Sequence, residues 1–164
     1  MSEDSFVKAV RTLEFDKIRD ELASLCLTEA SKEMARNLMP SDVPVVVKQT
    51  LDETTDAKAM QRIKGMPSFS GIINVRDSME KAEKGATLTT EELLGIGRAL
   101  QAARSVKDYG NTDHGEENSL TQYFNSIRPV ESLERHISKC IISVDMISDE
   151  ASEKLYDIRR HIRH

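Results

Sequence analysis

The sequence predicts an all-α protein, an irregular helical bundle whose last helix projects as the stub of a longer lever. Two observations carry that prediction. Apolar residues recur at three- and four-residue intervals along nearly the whole chain, the spacing that gathers them on one face of a helix. Turn formers are scarce, with 7 Gly and 4 Pro in 164 residues, too few for a turn-rich sandwich or barrel.

Phe6, Val10 and Leu13 define a first short helix face. Phe15 opens a new phase, continued by Ile18, Leu22 and Leu25, so the chain breaks at Glu14 between two helices. Ala30, Met34 and Leu38 form a third stripe behind Thr28, whose hydroxyl suits an N-cap. Pro40 ends that stripe, because the residue before a proline is pushed out of helical geometry. Val43-Pro44-Val45-Val46-Val47 has the composition of a strand, yet Pro44 fits the first turn of a helix with Asp42 as its cap. Val47, Leu51, Thr54, Ala57 and Met60 carry that long helix toward Lys64.

Gly65 to Gly71, with Pro67 inside it, is the clearest loop. Val75, Met79 and Ala82 mark a short helix closed by Gly85. Thr89 and Glu92 form a capping box, and Leu93, Ile96, Leu100, Ala103 and Val106 run along the helix it starts. Gly110 to Asn118 reads as a polar loop. Leu120 to Ile127 and Pro129 to Ile142 follow as helices, and Ser143 to Asp149 as a turn or a scrap of hairpin. Ala151, Leu155, Ile158 and Ile162 then keep helical spacing to the terminus, with no Gly, Asn or Pro to stop them. That pattern is expected of an N-terminal piece of something longer, organised as a helical core domain over 1–142 and a turn plus the start of a lever helix over 143–164.

The net charge is −5, from 23 basic and 28 acidic side chains. Domains that grip a phosphate backbone unaided usually carry a basic excess, since affinity comes largely from counterion release. Autonomous nucleic-acid binding is therefore expected to be weak. No apolar run reaches the ~20 residues needed to span a bilayer, and the acidic start Met1-Ser2-Glu3-Asp4-Ser5 is unlike a signal peptide. A soluble, cytoplasmic protein without a membrane partner is expected. Cys26 and Cys140 each stand alone among apolar neighbours, as reduced, buried small residues do.

Weighed for chemistry, most motifs dissolve into plainer roles. His161 and His164 have a spacing that can present two imidazoles to one metal, but two ligands are too few and no Cys or His accompanies them. His136 and His114 are isolated, without a nucleophile or second acid at a readable spacing. Asn111, Asp113 and Glu116 lack the order of a calcium loop, and the glycines make neither a G-x-x-x-x-G-K-[ST] nor a G-x-G-x-x-G phosphate cradle. Glu91 and Glu92 complement a helix dipole. Arg159, Arg160 and Arg163 form the only concentrated basic stretch: a phosphate or partner contact on one reading, the solvated face of a helical arm on the other. Leu155, Ile158 and Ile162 are the seam along which that arm would meet a partner. No catalytic residue, metal site or cofactor site is expected in this chain.

Five segments stand in order along the chain: Leu13-Glu14-Phe15-Asp16-Lys17-Ile18; Leu51-Asp52-Glu53-Thr54 with Ala57; Ser70-Gly71-Ile72; Ala82-Glu83-Lys84-Gly85 with Leu88; and Asp149, Ala151-Ser152, Leu155, Ile158-Arg159 and Ile162. Taken together they are similar to the N-terminal part of the MutS-II family, the MutS branch associated with suppressing recombination. The departures are Asp145 where the family often has a turn glycine, Glu153 where it often starts the last helix with proline, and Gly110 to Asn118 as a variable insertion. The resemblance implies a MutS core-like helical domain within a dimeric, ATP- and Mg-using protein. The remaining domains of that parent chain would be a DNA-contacting clamp, a P-loop ATPase and commonly an Smr nuclease domain, all expected beyond His164. It also implies branched DNA, or a collided ribosome, as the object of the work. No Phe here is followed two residues later by Glu, so the mismatch-reading wedge of repair relatives is absent. The role left to this chain is mechanical, a stiff body linking ATPase state to clamp position. The rival readings are a free-standing helical interaction module using the Ala151 to Ile162 stripe and, lowest, a small enzyme.

Overall fold

The computed structural model describes residues 3–111 and 117–163, so His164 and the Asp113, His114 and Glu116 positions of the predicted loop lie outside the described residues. Among the described residues the structure is predominantly helical with one two-stranded sheet, an all-α fold. It divides into two compact units, Met1–Asp52 and Glu53–His164.

The first unit contains α1 (Glu3–Thr12), α2 (Phe15–Leu25), α3 (Glu29–Arg36) and the opening turns of α4 (Pro44–Lys64). Glu14 separates α1 from α2 in the left-handed region, at φ 54° and ψ 33°, where the phase of the apolar stripe jumps. α2 packs on α3, with Ala23 and Ala35 buried. Thr28 caps α3 as its hydroxyl predicts, but within a full box: Ser31 N–H donates to Thr28 Oγ1 (3.1 Å) and Thr28 N–H to Ser31 Oγ (3.2 Å). α3 stops at Arg36, short of Leu38 and Pro40, because the Asn37 and Leu38 amides turn back onto Glu33 and Ala35. Pro44 does open α4, but the cap position falls to Val43 rather than Asp42, the Val43 carbonyl accepting from Val47 N–H at 3.0 Å.

The second unit is built round α6 (Thr90–Gly110), with α5 (Arg76–Glu83), α7 (Thr121–Ser126), α8 (Glu131–Cys140) and α9 (Glu153–Arg163). Gly85, at φ +76°, closes α5: its own amide reaches Ala82 and that of Ala86 reaches Lys81, the glycine-dependent pairing that ends many helices. The predicted Thr89–Glu92 box caps α6, with Glu92 N–H on Thr89 Oγ1 (3.2 Å) and Thr89 N–H on Glu92 Oε2 (2.8 Å). α8 lies along α6, and Ile137 fills the space that a side chain at Gly97 would take, 3.2 Å from that missing Cβ. Arg104 and Glu134 join the same two helices by a two-pronged ion pair, Nη2–Oε1 2.8 Å and Nε–Oε2 3.0 Å.

The predicted run from Pro129 to Ile142 is not all helix. α8 ends at Cys140, whose carbonyl accepts from Ser148 N–H at 2.8 Å and so draws Ile141 and Ile142 into a hairpin of β1 (Ile141–Ser143) and β2 (Met146–Ile147). The strands are antiparallel, with a bulge between Ile141 and Ser143. Asp145 needs no left-handed conformation, Glu14 being the only such non-glycine among the described residues. Thr90 Oγ1 donates to the Val144 carbonyl, pinning the hairpin tip to the start of α6. A short 3-10 turn, Asp149–Ala151, takes Ala151 out of the last helix. Cys26 and Cys140 are free but half-buried rather than buried: each sits at a helix end, which neighbours cover less completely. No described helix is long and apolar enough to cross a membrane.

Candidate functional site

α9 begins at Glu153 without the help of a proline. Ser152 is extended, at φ −158° and ψ 150°, and its Oγ accepts from Leu155 N–H at 3.2 Å, as N-cap serines do. Of the three arginines singled out, Arg159 is engaged: it donates to the Ile147 carbonyl at 2.8 Å and pairs with Asp149 Oδ1. Its charge is thereby spent on tying α9 to the hairpin and the 3-10 turn. Arg160 is exposed, and the side chain of Arg163 lies outside the described residues. His161 Nδ1 lies 2.7 Å from the Asp157 carbonyl, a geometry that requires the proton on that nitrogen.

The seam residues separate. Leu155 is half-buried, whereas Ile158 and Ile162 are 47% and 77% exposed, on a shallow face shared with Lys154 and His161. The structure therefore assigns Leu155 to the body of its own unit and leaves the two isoleucines open.

Polar stitching elsewhere escaped the sequence reading because its partners are far apart in the chain. Ser119 donates its N–H and its hydroxyl to Asp56 Oδ2, at 2.9 and 2.7 Å, which holds that carboxyl below the usual carboxylate range. Tyr123 donates to Glu53, and Tyr109 to the Gly65 carbonyl. Glu134 is depressed by the hydrogen bonds and charge of Arg104 against the opposing effect of burial. Glu92 is depressed first by Lys81, then by the Thr89 amide it caps.

A second feature also went unseen. An open cleft of about 330 Å³ lies between the loop after α4 and the middle of α6, lined by Ser68, Ser70, Gly71, Arg98, Gln101 and Ser105. Its polar stripe on α6 has helical spacing, but attention to apolar periodicity passes over it.

Among the described residues no three His, Cys, Asp or Glu side chains gather as metal ligands. Cys140 Sγ lies 3.8 Å from His136 Nε2 and 4.0 Å from the Ala151 carbonyl. At the N-terminus of α6 the Glu92 carboxylate takes the Thr89 amide, and at that of α3 the Ser31 hydroxyl takes the Thr28 amide.

No family model matches the chain. It is similar to proteins named Endonuclease MutS2. That of Clostridium perfringens is 37% identical over 161 residues, covering 95% of this chain and 20% of the relative. That of Clostridium novyi is 37% identical over 158 residues, with the same coverage. That of Lachnospira eligens is 39% identical over 153 residues, covering 93% of this chain and 19% of the relative. The chain thus spans about a fifth of the length of the curated relatives it matches.

Proposed function

We propose, for a chain that belongs to the MutS2 family, a non-catalytic role: a helical core segment that anchors the start of a lever helix in a larger, DNA-acting protein. The observation that carries this reading is the attachment of α9. Ser152 caps it, and Arg159 ties its second turn to Ile147 and Asp149, so its direction follows the hairpin and, through Thr90, the α6 body. A packed body transmits displacement because its interior has little free volume to absorb it. In the larger protein that displacement would join an ATPase to a DNA clamp, with branched DNA or a ribosome as the object and a second subunit as partner.

The test is made in a full-length MutS2 relative. Alanine at the position equivalent to Arg159 should leave nucleotide hydrolysis intact while reducing its response to branched DNA. An unchanged response would remove the lever reading. The 164-residue chain itself should show no saturable ATP binding by calorimetry. It should bind a four-way junction no more tightly than roughly 10 μM at physiological salt, in the range of non-specific contact.

The exposure of Ile158 and Ile162 favours a second reading, a helical interaction module that docks a partner helix on α9. Self-association of the chain through those residues would support it.

A further inference from the structure

We propose that the cleft between the 68–71 loop and the middle of α6 binds a phosphate group. The loop is pressed hard on the helix at Gly71, where a Cβ would stand 2.9 Å from the Arg98 carbonyl and 3.0 Å from Ala102 Cβ. Only glycine permits this approach, and it sets Ser68 and Ser70 opposite the α6 stripe formed by Arg98, Gln101 and Ser105. The two loop hydroxyls are 3.0 Å apart and share one proton between them, so the other hydroxyl hydrogen is free to donate outward.

The lining is rich in donors and holds no carboxylate, in a chain with 28 acidic side chains. Arg98 is exposed and forms none of the ion pairs found among the described residues. Among the described arginines of this unit, Arg104, Arg135 and Arg159 do pair with a carboxylate, those of Glu134, Glu131 and Asp149. An arginine on one wall and hydroxyls on the other suit a tetrahedral anion, which accepts from several directions at once. Water has open access, and one cation is a small share of the charge that backbone binding normally uses. The site should therefore be weak and should hold one phosphate, whether a phosphodiester of a nucleic-acid strand or the free ion.

The inference extends the DNA-acting reading above, yet phosphate binding is measurable whether or not that reading holds. The 15N-labelled chain would be titrated separately with inorganic phosphate and a short single-stranded DNA oligonucleotide, with chloride at matched ionic strength as control. Saturable shifts of the Ser68, Ser70, Gly71 and Gln101 amides with phosphate are expected, weakened at least about tenfold in Arg98→Gln, since a charge-assisted contact is lost. Arg98→Lys should restore part of the affinity, and circular dichroism of both variants checks that the exposed substitutions leave the fold intact. Shifts with the oligonucleotide that depend equally on Arg98 assign the site to a nucleic-acid strand. Shifts with free phosphate alone keep the site and remove its connection to nucleic acid. No saturable shift with either probe, or shifts indifferent to Arg98→Gln, would overturn the proposal.

Discussion

Among the described residues the buried hydrophobic side chains from Met1 to Asp52 are Ala23 and Ala35, whereas from Glu53 onward they are Met60, Ala102, Val106, Ile137 and Ile141, with Glu134 buried beside them. The first unit brings two helices close through small residues and leaves its large ones out: Leu25 is 75% exposed and Met34 74%. The second interlocks side chains from α4, α6, α8 and β1 and adds an ion pair and long-range hydrogen bonds. Two segments of similar helical appearance therefore differ in what holds them. In the first, local caps and turns carry much of the structure; in the second, tertiary packing does.

That difference predicts unequal costs for similar substitutions. Ile137→Ala should have the largest effect, about 2–5 kcal/mol, because it removes a buried side chain fitted against Gly97 and leaves a cavity. Leu25→Ala should cost less than about 1 kcal/mol, its side chain being mostly in water already. Urea unfolding of the two variants decides the matter, and equal losses would show that the first unit has a packed core after all.

Next in size is the Arg104–Glu134 pair. Glu134→Gln keeps the shape but removes the charge, and should lose less than half of what Ile137→Ala loses. The ionised pair also makes the second unit sensitive to acid. Because Glu134 titrates lower in the folded state than in the unfolded chain, its contribution is complete above the unfolded value of about 4.3. It is lost as the pH falls through the folded value. Thermal melts from pH 7 down to pH 3 should therefore converge for wild type and Glu134→Gln.

Capping gives the reverse contrast. Thr28→Ala and Thr89→Ala each remove a hydroxyl from a complete box and should each cost about 1 kcal/mol. The same loss should matter more to the first unit, whose helices have less packing to fall back on. Amide exchange should quicken throughout α3 in Thr28→Ala, but only in the first turn of α6 in Thr89→Ala. Smallest of all should be the effect of Ile158→Asp with Ile162→Asp on the folding of the second unit. Sedimentation should show any dimer abolished while the melting of that unit is unchanged; loss of the fold would place both isoleucines in its core.

What was legible in the sequence follows the same division between local and distant causes. The Thr89–Glu92 box, the break at Glu14, the loop from Gly65 and the glycine stop at Gly85 depend on residues within a few positions of one another, and each is present as read. The Thr28 box was half legible: its cap was plain, but a serine at Ser31 in place of Glu or Gln hides the reciprocal bond. Ile141 and Ile142 continue a helical stripe on paper, and only the distant Ser148 amide ends the helix before them. Arg104 with Glu134 and the Arg98 cleft need the helices and loops in place before their partners meet. The basic stretch near the terminus was visible as a cluster, but not that Arg159 would be taken up by Asp149.

The bonds between α6 and the segments after it are nested: Arg104–Glu134 spans 30 residues and lies inside Thr90–Val144, which spans 54. Closing the outer loop first would cost only about 0.5 kcal/mol more chain entropy than closing the inner one. Once the inner pair has formed, however, the outer ends are carried by α6 and by the hairpin directly after its neighbour α8, and approach almost without further search. The second unit should thus fold like a zip running from its middle toward the hairpin. Stopped-flow refolding should then be slowed by Ile137→Val, whereas Thr90→Ala should mainly hasten unfolding, the signature of a contact made after the transition state.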